Sequence, residues 1–247
     1  MTIGIVVFPG SNCDADTVHA LRDVLGQDAR DVWHQETSLD GLDAVILPGG
    51  FSYGDYLRAG AIASTSPVVR ALRGYAAAGG PVLGICNGFQ TLVETRLLPG
   101  ALLPNAAGEF RCRHVRVRVE RTDTPFTGAL REGDVLRIPI AHGEGRYYVT
   151  DRERARITLA RQIAFRYCDA GGHVTPEANP NGAIDNIAGV ASASGTVLGL
   201  MPHPERASEA IVGSADGLRI FESLVRWIRT RERAAVPSMP AAASEDR

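Results

Sequence analysis

The chain lacks lysine altogether. All 26 basic side chains among its 247 residues are arginine. A Walker A loop, a lysine Schiff base and a lysine general base each need a lysine, so this chain carries none of them. If its reaction uses ATP, we expect the nucleotide site on another polypeptide.

Cysteine is scarce, and no two cysteines are close in sequence. The four residues are Cys13, Cys86, Cys112 and Cys168, and no Cys-x-x-Cys pair occurs. The spacing therefore predicts neither a zinc site nor a disulfide framework. We expect reduced thiols, with no metal and no cofactor in this chain.

Long apolar runs and an excess of one charge are also missing. No run is long enough to span a bilayer, and residues 2–8 lack the basic start and the length of a signal peptide. The net charge of −2 gives no general electrostatic reason to expect nucleic acid or a membrane as a partner. A cytoplasmic location is the expectation.

Strand-like and helical segments alternate through residues 1–100, which predicts an α/β fold. Its sheet is expected to be open and mostly parallel, with helices on both faces. The predicted strands are 3–8, 29–34, 42–47 and 81–85, and the predicted helices are 14–25, 67–78 and 88–94. Ser66 is expected to cap the second helix, which begins at Pro67.

Strict alternation follows after residue 100, which predicts an added antiparallel portion. Val115, Val117 and Val119 share one strand face, and arginines occupy the other. Further strands are predicted over 157–168, 186–192 and 197–201, and a final helix over 216–233. We expect residues 1–233 to form one domain. The segment 234–247, rich in Ala, Pro, Ser and acids, is expected to be a disordered tail.

Cys86 is the candidate nucleophile. It lies in Gly84-Ile85-Cys86-Asn87-Gly88, between an apolar strand and a helix. Flanking glycines relieve crowding at such a corner, as in the Gly-x-Ser-x-Gly turn of hydrolases, and a helix N-terminus favours a thiolate. A buried structural cysteine is the alternative, and partners elsewhere in the chain must decide.

His203 and Glu205 are the candidate partners of that cysteine. They lie in Pro202-His203-Pro204-Glu205, just after a predicted strand. Because the prolines favour an extended backbone, the two side chains are expected on the same side. His203 would then accept and return a proton while Glu205 orients it. The alternative is a surface turn with a capping carboxylate.

An oxyanion hole needs backbone N–H groups aimed at a developing charge. Asn87, directly after the cysteine, is expected to supply one donor. The pair Gly49-Gly50 follows a predicted strand, and glycine lets the backbone approach a substrate closely, so Gly50 is expected to supply the second. A plain structural turn is the alternative for the glycine pair. Together these features indicate acyl transfer to a thiol.

Six segments together resemble one known family. They are 8–14 (FPGSNCD), 48–63 (PGGFSYGDYLRAGAIA), 84–90 (GICNGFQ), 139–148 (PIAHGEGRYY), 177–182 (EANPNG) and 201–206 (MPHPER). In these segments the chain resembles the PurQ family, the glutaminase subunits of phosphoribosylformylglycinamidine synthase, within the class I (triad) glutamine amidotransferases. The resemblance implies a flavodoxin-like sheet.

The resemblance to the PurQ family also implies hydrolysis of L-glutamine through a γ-glutamyl thioester on Cys86. The ammonia would pass to a PurL-type synthase subunit that binds ATP, Mg²⁺ and formylglycinamide ribonucleotide, with a PurS-type small subunit as a further partner, in purine (IMP) biosynthesis. The glutamine contacts that it suggests are Gly49, Phe51, Gln90, His142 and Glu144. For His142 and Glu144 the sequence leaves open whether they face the pocket or the partner.

Two other functions remain open. One is a cysteine amidase or peptidase of flavodoxin-like fold, which would share the cysteine corner. The other is a catalytically silent regulatory subunit on the same scaffold. The intact cysteine, histidine and glutamate disfavour the silent subunit, and the segment PGGFSYGD fits the peptidase poorly.

Overall fold

The computed structural model describes residues 1–235, and the rest of the segment predicted as a tail, 236–247, lies outside the described residues. The strands are β1 (Thr2–Val7), β2 (Asp28–Trp33), β3 (Ala44–Leu47), β4 (Val82–Ile85), β5 (Ala101–Leu103), β6 (Arg111–Val119), β7 (Val135–His142), β8 (Arg146–Tyr148), β9 (Ile163–Cys168), β10 (Ile187–Ala191) and β11 (Val197–Leu200). The α-helices are α1 (Asp14–His19), continued by a π-helical turn over Ala20–Val24, α2 (Pro67–Ala77), α3 (Asn87–Glu94), α4 (Asp151–Leu159) and α5 (Leu218–Ala235).

Within residues 1–235, nine strands form one sheet in the order β2-β1-β3-β4-β11-β10-β9-β6-β7, and β5 pairs with β8 apart from it. The first five strands of that order are parallel, and the remaining pairings are antiparallel. Every residue of β3, β4 and β11 is buried, so both faces of this part of the sheet are covered. The predicted α/β fold with an added antiparallel portion is confirmed.

The predicted alternation in β6 is also confirmed. Val115, Val117 and Val119 are buried, whereas Arg116 is exposed. Arg118 pairs with Glu120, its Nε 2.7 Å from the Glu120 Oε1. The arginine face of this strand is therefore a solvated, ion-paired surface.

One predicted strand is wrong in its first part. Residues 157–159 belong to helix α4, and β9 begins only at Ile163. Thr150 and Glu153 form a capping box that fixes the start of α4: the Thr150 N–H donates to Glu153 Oε2 at 3.1 Å. Because Ile157 alone is buried in α4, its apolar periodicity is too weak to show in the sequence. Strands β5, β7 and β8 are likewise absent from the prediction.

The predicted start of α2 is correct, but the predicted cap is not. Ser66 has the extended backbone of an N-cap residue, yet its side chain makes no capping hydrogen bond. Its Oγ lies 3.1 Å from the hydroxyl of Tyr53 instead. At the other end of the chain, α5 continues to Ala235, two residues beyond the predicted boundary at 233. None of the helices described is both long and apolar enough to cross a membrane.

The parallel strands bring four loops together. Strands β1, β3, β4 and β11 are neighbours with the same direction, so their carboxyl ends share one rim of the sheet. The loops that leave these ends carry Cys13, Gly50, Cys86 and His203 in turn. A site at this rim is therefore built from parts that lie far apart in the chain.

The packing of α3 against β3 depends on Gly88. A Cβ there would collide with the backbone oxygen of Leu47, which has no room to move. We expect Gly88→Ala to lower the free energy of unfolding by about 1–3 kcal/mol, measured by urea denaturation. The matched control is Gly74→Ala in α2, where nothing lies within 4 Å, and we expect it to stabilise by about 0.5–1 kcal/mol. Equal midpoints for the two variants would contradict this account of the packing.

Candidate active site

Cys86 stands on a strained turn between β4 and α3. Its φ of 49° and ψ of −103° are unusual for a residue with a side chain. The Cys86 N–H donates to the carbonyl of Leu200 at 2.8 Å, and its own carbonyl accepts from the Gln90 N–H at 3.0 Å. At Gly84, a Cβ would lie only 2.8 Å from the backbone of Gly88. The turn is therefore held from both sides and needs glycine next to it.

His203 and Glu205 form a buried pair. The His203 Nδ1 lies 2.5 Å from Glu205 Oε1, and the side chains are 2 % and 0 % exposed. The predicted extended backbone is wrong, because Pro204–Ala207 forms a 3₁₀ turn, whose first position proline suits. The predicted contact forms nevertheless. The His203 N–H also donates to the carbonyl of Pro139 at 2.8 Å, which ties the histidine to β7.

Charges around His203 favour its protonated form. Burial by itself lowers the pKa of His203, but the negative charge of Glu205 and the nearby Cys86 outweigh it, so that pKa lies well above its ordinary value. Within residues 1–235, Nε2 of the ring makes no hydrogen bond. One ring nitrogen is thus held by the carboxylate, and the other is free for proton transfer.

The side chain of Asn87 joins the cysteine turn to the loop after β3. Its Oδ1 accepts from the Ser52 N–H at 3.1 Å, and its Nδ2 donates to Asp55 and to Gln90, both at 3.0 Å. In the described part of the chain, the backbone N–H groups of Gly50 and Asn87 donate to no acceptor. The two N–H groups predicted to form an oxyanion hole are therefore unpaired among the residues that the structure describes, and their role stays a prediction.

A cavity of about 160 Å³ opens beside Cys86. It is smaller than the range of about 300–1,000 Å³ typical of drug-sized ligands, so it suits a small metabolite. Its walls are Gly50, Phe51, Asp55, Cys86, Gln90, Phe110, Ala141, His142, Gly143 and Glu144.

Four of the five predicted glutamine contacts line this cavity, and Gly49 does not. Gly49 lies behind the histidine: a Cβ there would lie 2.6 Å from the His203 Cε1 and 3.1 Å from the Cys13 Sγ. Its glycine is needed so that these two side chains fit. The Gln90 side chain, by contrast, donates to the backbone oxygen of Glu144 at 2.7 Å and so helps to hold the opposite wall.

His142 faces the cavity and is uncharged. Burial, aided by the charge of His203, lowers the pKa of His142 to about 3. Its Nε2 lies 3.1 Å from Nδ2 of Asn181, which also donates to the carbonyl of Gly145 at 2.8 Å. Because an amide nitrogen can only donate, the His142 Nε2 accepts and the ring proton sits on Nδ1. The neutral ring shapes the cavity wall.

Sequence reasoning missed four wall residues, which are Asp55, Phe110, Ala141 and Gly143. Burial raises the pKa of Asp55 to about 6, the negative charge of Glu144 adds to the rise, and the hydrogen bond from Asn87 opposes it. The carboxylate five residues after Gly50 was a signal that could have been read. For Phe110 the sequence held no such signal, because this residue reaches the cavity only when the segment before β6 folds against it.

Cys13 is a further residue that sequence reasoning left without a role. It is buried at the start of α1, and its Sγ lies 3.8 Å from Nδ1 of His203. Burial raises the pKa of this thiol, and its hydrogen bond to His203 opposes the rise. The contact joins residues 190 positions apart, so no local pattern announces it.

Comparison with known proteins decides the family. The CobB/CobQ-like glutamine amidotransferase domain matches residues 1–228. The phosphoribosylformylglycinamidine synthase subunit PurQ of Moorella thermoacetica is 55 % identical over 94 % of this chain and 99 % of its own length. This chain belongs to the PurQ family of glutamine amidotransferases. The PurQ subunit of Thermomicrobium roseum is similar as well, 57 % identical over 91 % of this chain and 95 % of its own.

A solved structure gives the same result for the family fold. A chain in the structure of PurLQS from Thermotoga maritima aligns with a TM-score of 0.81 at 43 % identity, over 92 % of this chain and 98 % of that one. At one rim of the sheet, this family member has a thiol, a buried histidine–carboxylate pair and two backbone N–H groups that have no acceptor within residues 1–235. That set of groups can perform acyl transfer through a thioester.

The charge of Glu205 should be visible in the titration of His203. In Glu205→Gln the carboxylate is lost while the burial remains, so we expect the pKa of His203 to fall below its ordinary value, measured by imidazole ¹⁵N NMR. Glu209→Gln is the matched control, since Glu209 lies 2.7 Å from His19 and raises the pKa of that exposed ring instead. An unchanged His203 titration in Glu205→Gln would show that the pair does not set its charge.

Proposed function

We propose that this chain is the glutaminase subunit of phosphoribosylformylglycinamidine synthase. It hydrolyses L-glutamine to glutamate and ammonia through a thioester on Cys86. The observation that carries the proposal is the strained Cys86 turn, which lies at one rim with the buried pair of His203 and Glu205 in a member of the PurQ family.

The first half-reaction forms the thioester. The Cys86 thiolate attacks the side-chain amide carbon, and the C–S bond forms as the carbonyl oxygen takes the charge. The N–H groups of Gly50 and Asn87 donate to that oxygen. The imidazolium of His203 gives its Nε2 proton to the amide nitrogen, the C–N bond breaks and ammonia leaves. Glu205 stabilises the imidazolium before the transfer and keeps the ring oriented throughout.

The second half-reaction returns the enzyme to its starting state. His203, now neutral, takes a proton from water at Nε2 while the water oxygen attacks the thioester carbon. The same two N–H groups stabilise the second tetrahedral intermediate. The C–S bond then breaks, glutamate leaves and Cys86 is again a thiolate beside an imidazolium. Protons and electron pairs balance without any cofactor.

Recognition of the free amino acid is assigned to the carboxylates in the cavity. Asp55 and Glu144 both line it, close enough that the charge of Glu144 raises the pKa of Asp55. An α-ammonium group placed between them would relieve that repulsion. At the mouth, the rings of Phe51 and Phe110 lie with centroids 6.4 Å apart and form an apolar rim around the substrate.

We expect Asp55→Asn to raise the KM for glutamine about 10- to 100-fold with a small change in kcat, because a charge-assisted bond to the ammonium is lost. In the wild type, kcat/KM should fall as the pH drops below about 6, where Asp55 becomes protonated. Steady-state glutaminase assays across pH measure both effects. Glu109→Gln, which changes an exposed carboxylate next to Phe110, is the control and should leave KM unchanged. A kcat defect at constant KM would contradict this assignment.

The ammonia is proposed to pass to a PurL-type synthase subunit, which binds ATP, Mg²⁺ and formylglycinamide ribonucleotide. A PurS-type small subunit completes the complex, which serves purine (IMP) biosynthesis. The absence of lysine supports an ATP site on another chain.

Four large apolar side chains are exposed on and beside the cavity loops, as a docking surface requires: Phe51, Tyr56, Leu57 and Phe110. A cytoplasmic location is proposed because all four cysteines, which lie among the described residues, are unpaired, as is usual in a reducing compartment.

The two rival functions differ from this one in a single assay. A peptidase needs room for a polypeptide, whereas the cavity of about 160 Å³ suits one amino acid. A silent regulatory subunit needs no nucleophile. Glutaminase and peptidase activities are measured for the purified chain with and without the synthase. Peptide hydrolysis with no action on glutamine, even in the complex, would overturn the proposal.

Cys86→Ser should abolish glutamine-dependent synthesis, a loss of at least about 10³-fold, because the thioester cannot form. Synthesis by the complex from added ammonium salt should persist, since that route bypasses this chain. Cys112→Ser, which changes an exposed thiol, is the matched control and should keep both activities. Loss of both activities in a correctly assembled Cys86→Ser complex would contradict a role confined to ammonia supply.

A further inference from the structure

We propose that Cys13, His203 and Glu205 form a binding site for a thiophilic divalent cation such as Zn²⁺, and that its occupancy switches off the histidine. The cysteine spacing in the sequence predicts no such site. Folding creates it by placing the loop after β1 against the loop after β11, which brings together residues 190 positions apart.

The three donor atoms lie in one buried cluster. One sulfur, one ring nitrogen and one carboxylate oxygen all lie within 4.8 Å of one another. Zinc bonds of about 2.3 Å to sulfur and about 2.0–2.1 Å to nitrogen give a tetrahedral S···N separation of about 3.6 Å. The Cys13 Sγ lies 3.8 Å from the His203 Nδ1. The sulfur and the nitrogen are therefore close to ligand spacing, whereas Glu205 Oε1, 2.5 Å from the same nitrogen, must move away by about 1 Å to bind the same ion.

The Glu205 carboxylate has one oxygen that can bind a cation without breaking an existing hydrogen bond. The Glu205 side chain is fully buried, and its Oε2 has no hydrogen-bond partner within residues 1–235. A buried carboxylate oxygen without a partner is costly, so a ligand that satisfies it gains binding energy. Glu205 can rotate this oxygen toward the cation or offer Oε1 in place of its bond to the ring.

The charges also balance. A Cys13 thiolate and the Glu205 carboxylate together neutralise a dication, and a neutral cluster is tolerated in a buried position. The neighbouring cation, Arg206, is paired with Asp16, with 3.0 Å between Nε and Oδ2. The Cys13 proton and the Nδ1 proton of His203 leave to solvent, and three protein ligands leave the fourth position for water.

Metal binding stops proton transfer at Nε2 of His203. Bound through Nδ1, the imidazole is neutral and carries its remaining proton on Nε2. The acidic imidazolium is thereby replaced by a neutral ring, which is a far weaker acid at Nε2 and cannot give its proton to the leaving amide nitrogen in the first half-reaction. The metal also replaces the bond between His203 and Glu205. Glutamine hydrolysis stops while the fold stays intact.

Metal binding is tested without the catalytic thiol. Full-length Cys86→Ser keeps Cys13 as the thiol nearest His203, and Co²⁺ is the spectroscopic probe, since a thiolate ligand gives a sulfur-to-cobalt charge-transfer band. We expect one Co²⁺ or Zn²⁺ per chain with this band. Adding Cys13→Ser should remove the band and weaken Zn²⁺ binding at least about tenfold, as measured against a chelating indicator. Adding Cys112→Ser, the matched control, should change neither. Equal Zn²⁺ binding by the two double variants would overturn the proposal.

Inhibition is tested in the complex with the synthase and rests on the proposed function. We expect Zn²⁺ to inhibit glutamine hydrolysis. For each protein, the half-inhibiting Zn²⁺ concentration is the one that halves that protein's own metal-free rate. This concentration should be at least about tenfold higher for Cys13→Ser than for the wild type. An unchanged concentration would place the metal on Cys86 and overturn the switch. Absence of any glutaminase activity in the wild-type complex would overturn the proposed function instead, while the binding result would still decide the metal site.

Discussion

The backbone of Cys86 is the constraint on which the rest of the structure depends. A positive φ at a residue with a side chain costs about 1–3 kcal/mol, and it persists only where the surroundings enforce it. Here the Cys86 N–H donates to the carbonyl of Leu200 at the end of β11, and the Cys86 carbonyl accepts from the N–H of Gln90 in the first turn of α3. The glycines at 84 and 88 leave out side chains that would collide with neighbouring backbone. The strain places one thiol at the carboxyl rim of the sheet, at a helix N-terminus.

Hydrogen bonds from α3 carry this geometry to the cavity walls. Asn87 binds Ser52 and Asp55 on one wall, and Gln90 binds the backbone of Glu144 on the other. The Cys86 turn, the proposed oxyanion donors and the cavity walls therefore belong to one hydrogen-bonded frame. His203 is held separately, by the carbonyl of Pro139 on β7, so the antiparallel part of the sheet positions the proposed base.

Much of the site could be predicted because its parts are local motifs at strand ends. Gly50, Cys86 and His203 each follow a buried apolar strand, and parallel strands deliver such residues to one rim. Most of the missed elements have weak local patterns, although β7 is an exception because Leu136, Ile138 and Ile140 alternate along it. Helix α4 buries one residue and depends on its capping box, and β5 and β8 are three residues each. In the Pro-His-Pro-Glu segment a 3₁₀ turn begins at Pro204, a position that proline also suits, so the prolines did not by themselves fix an extended backbone.

The sequence by itself determined which chemistry is present: a cysteine between glycines, a histidine and a glutamate two residues apart, and no lysine for ATP. Only the tertiary structure decided the charge states and the long-range contacts. Burial makes His142 neutral and raises the pKa of Asp55, and neither effect is written in local sequence. The approach of Cys13 to His203 also arises only on folding. Desolvation and through-space charge depend on what surrounds a group, and the chain acquires those surroundings only when it folds.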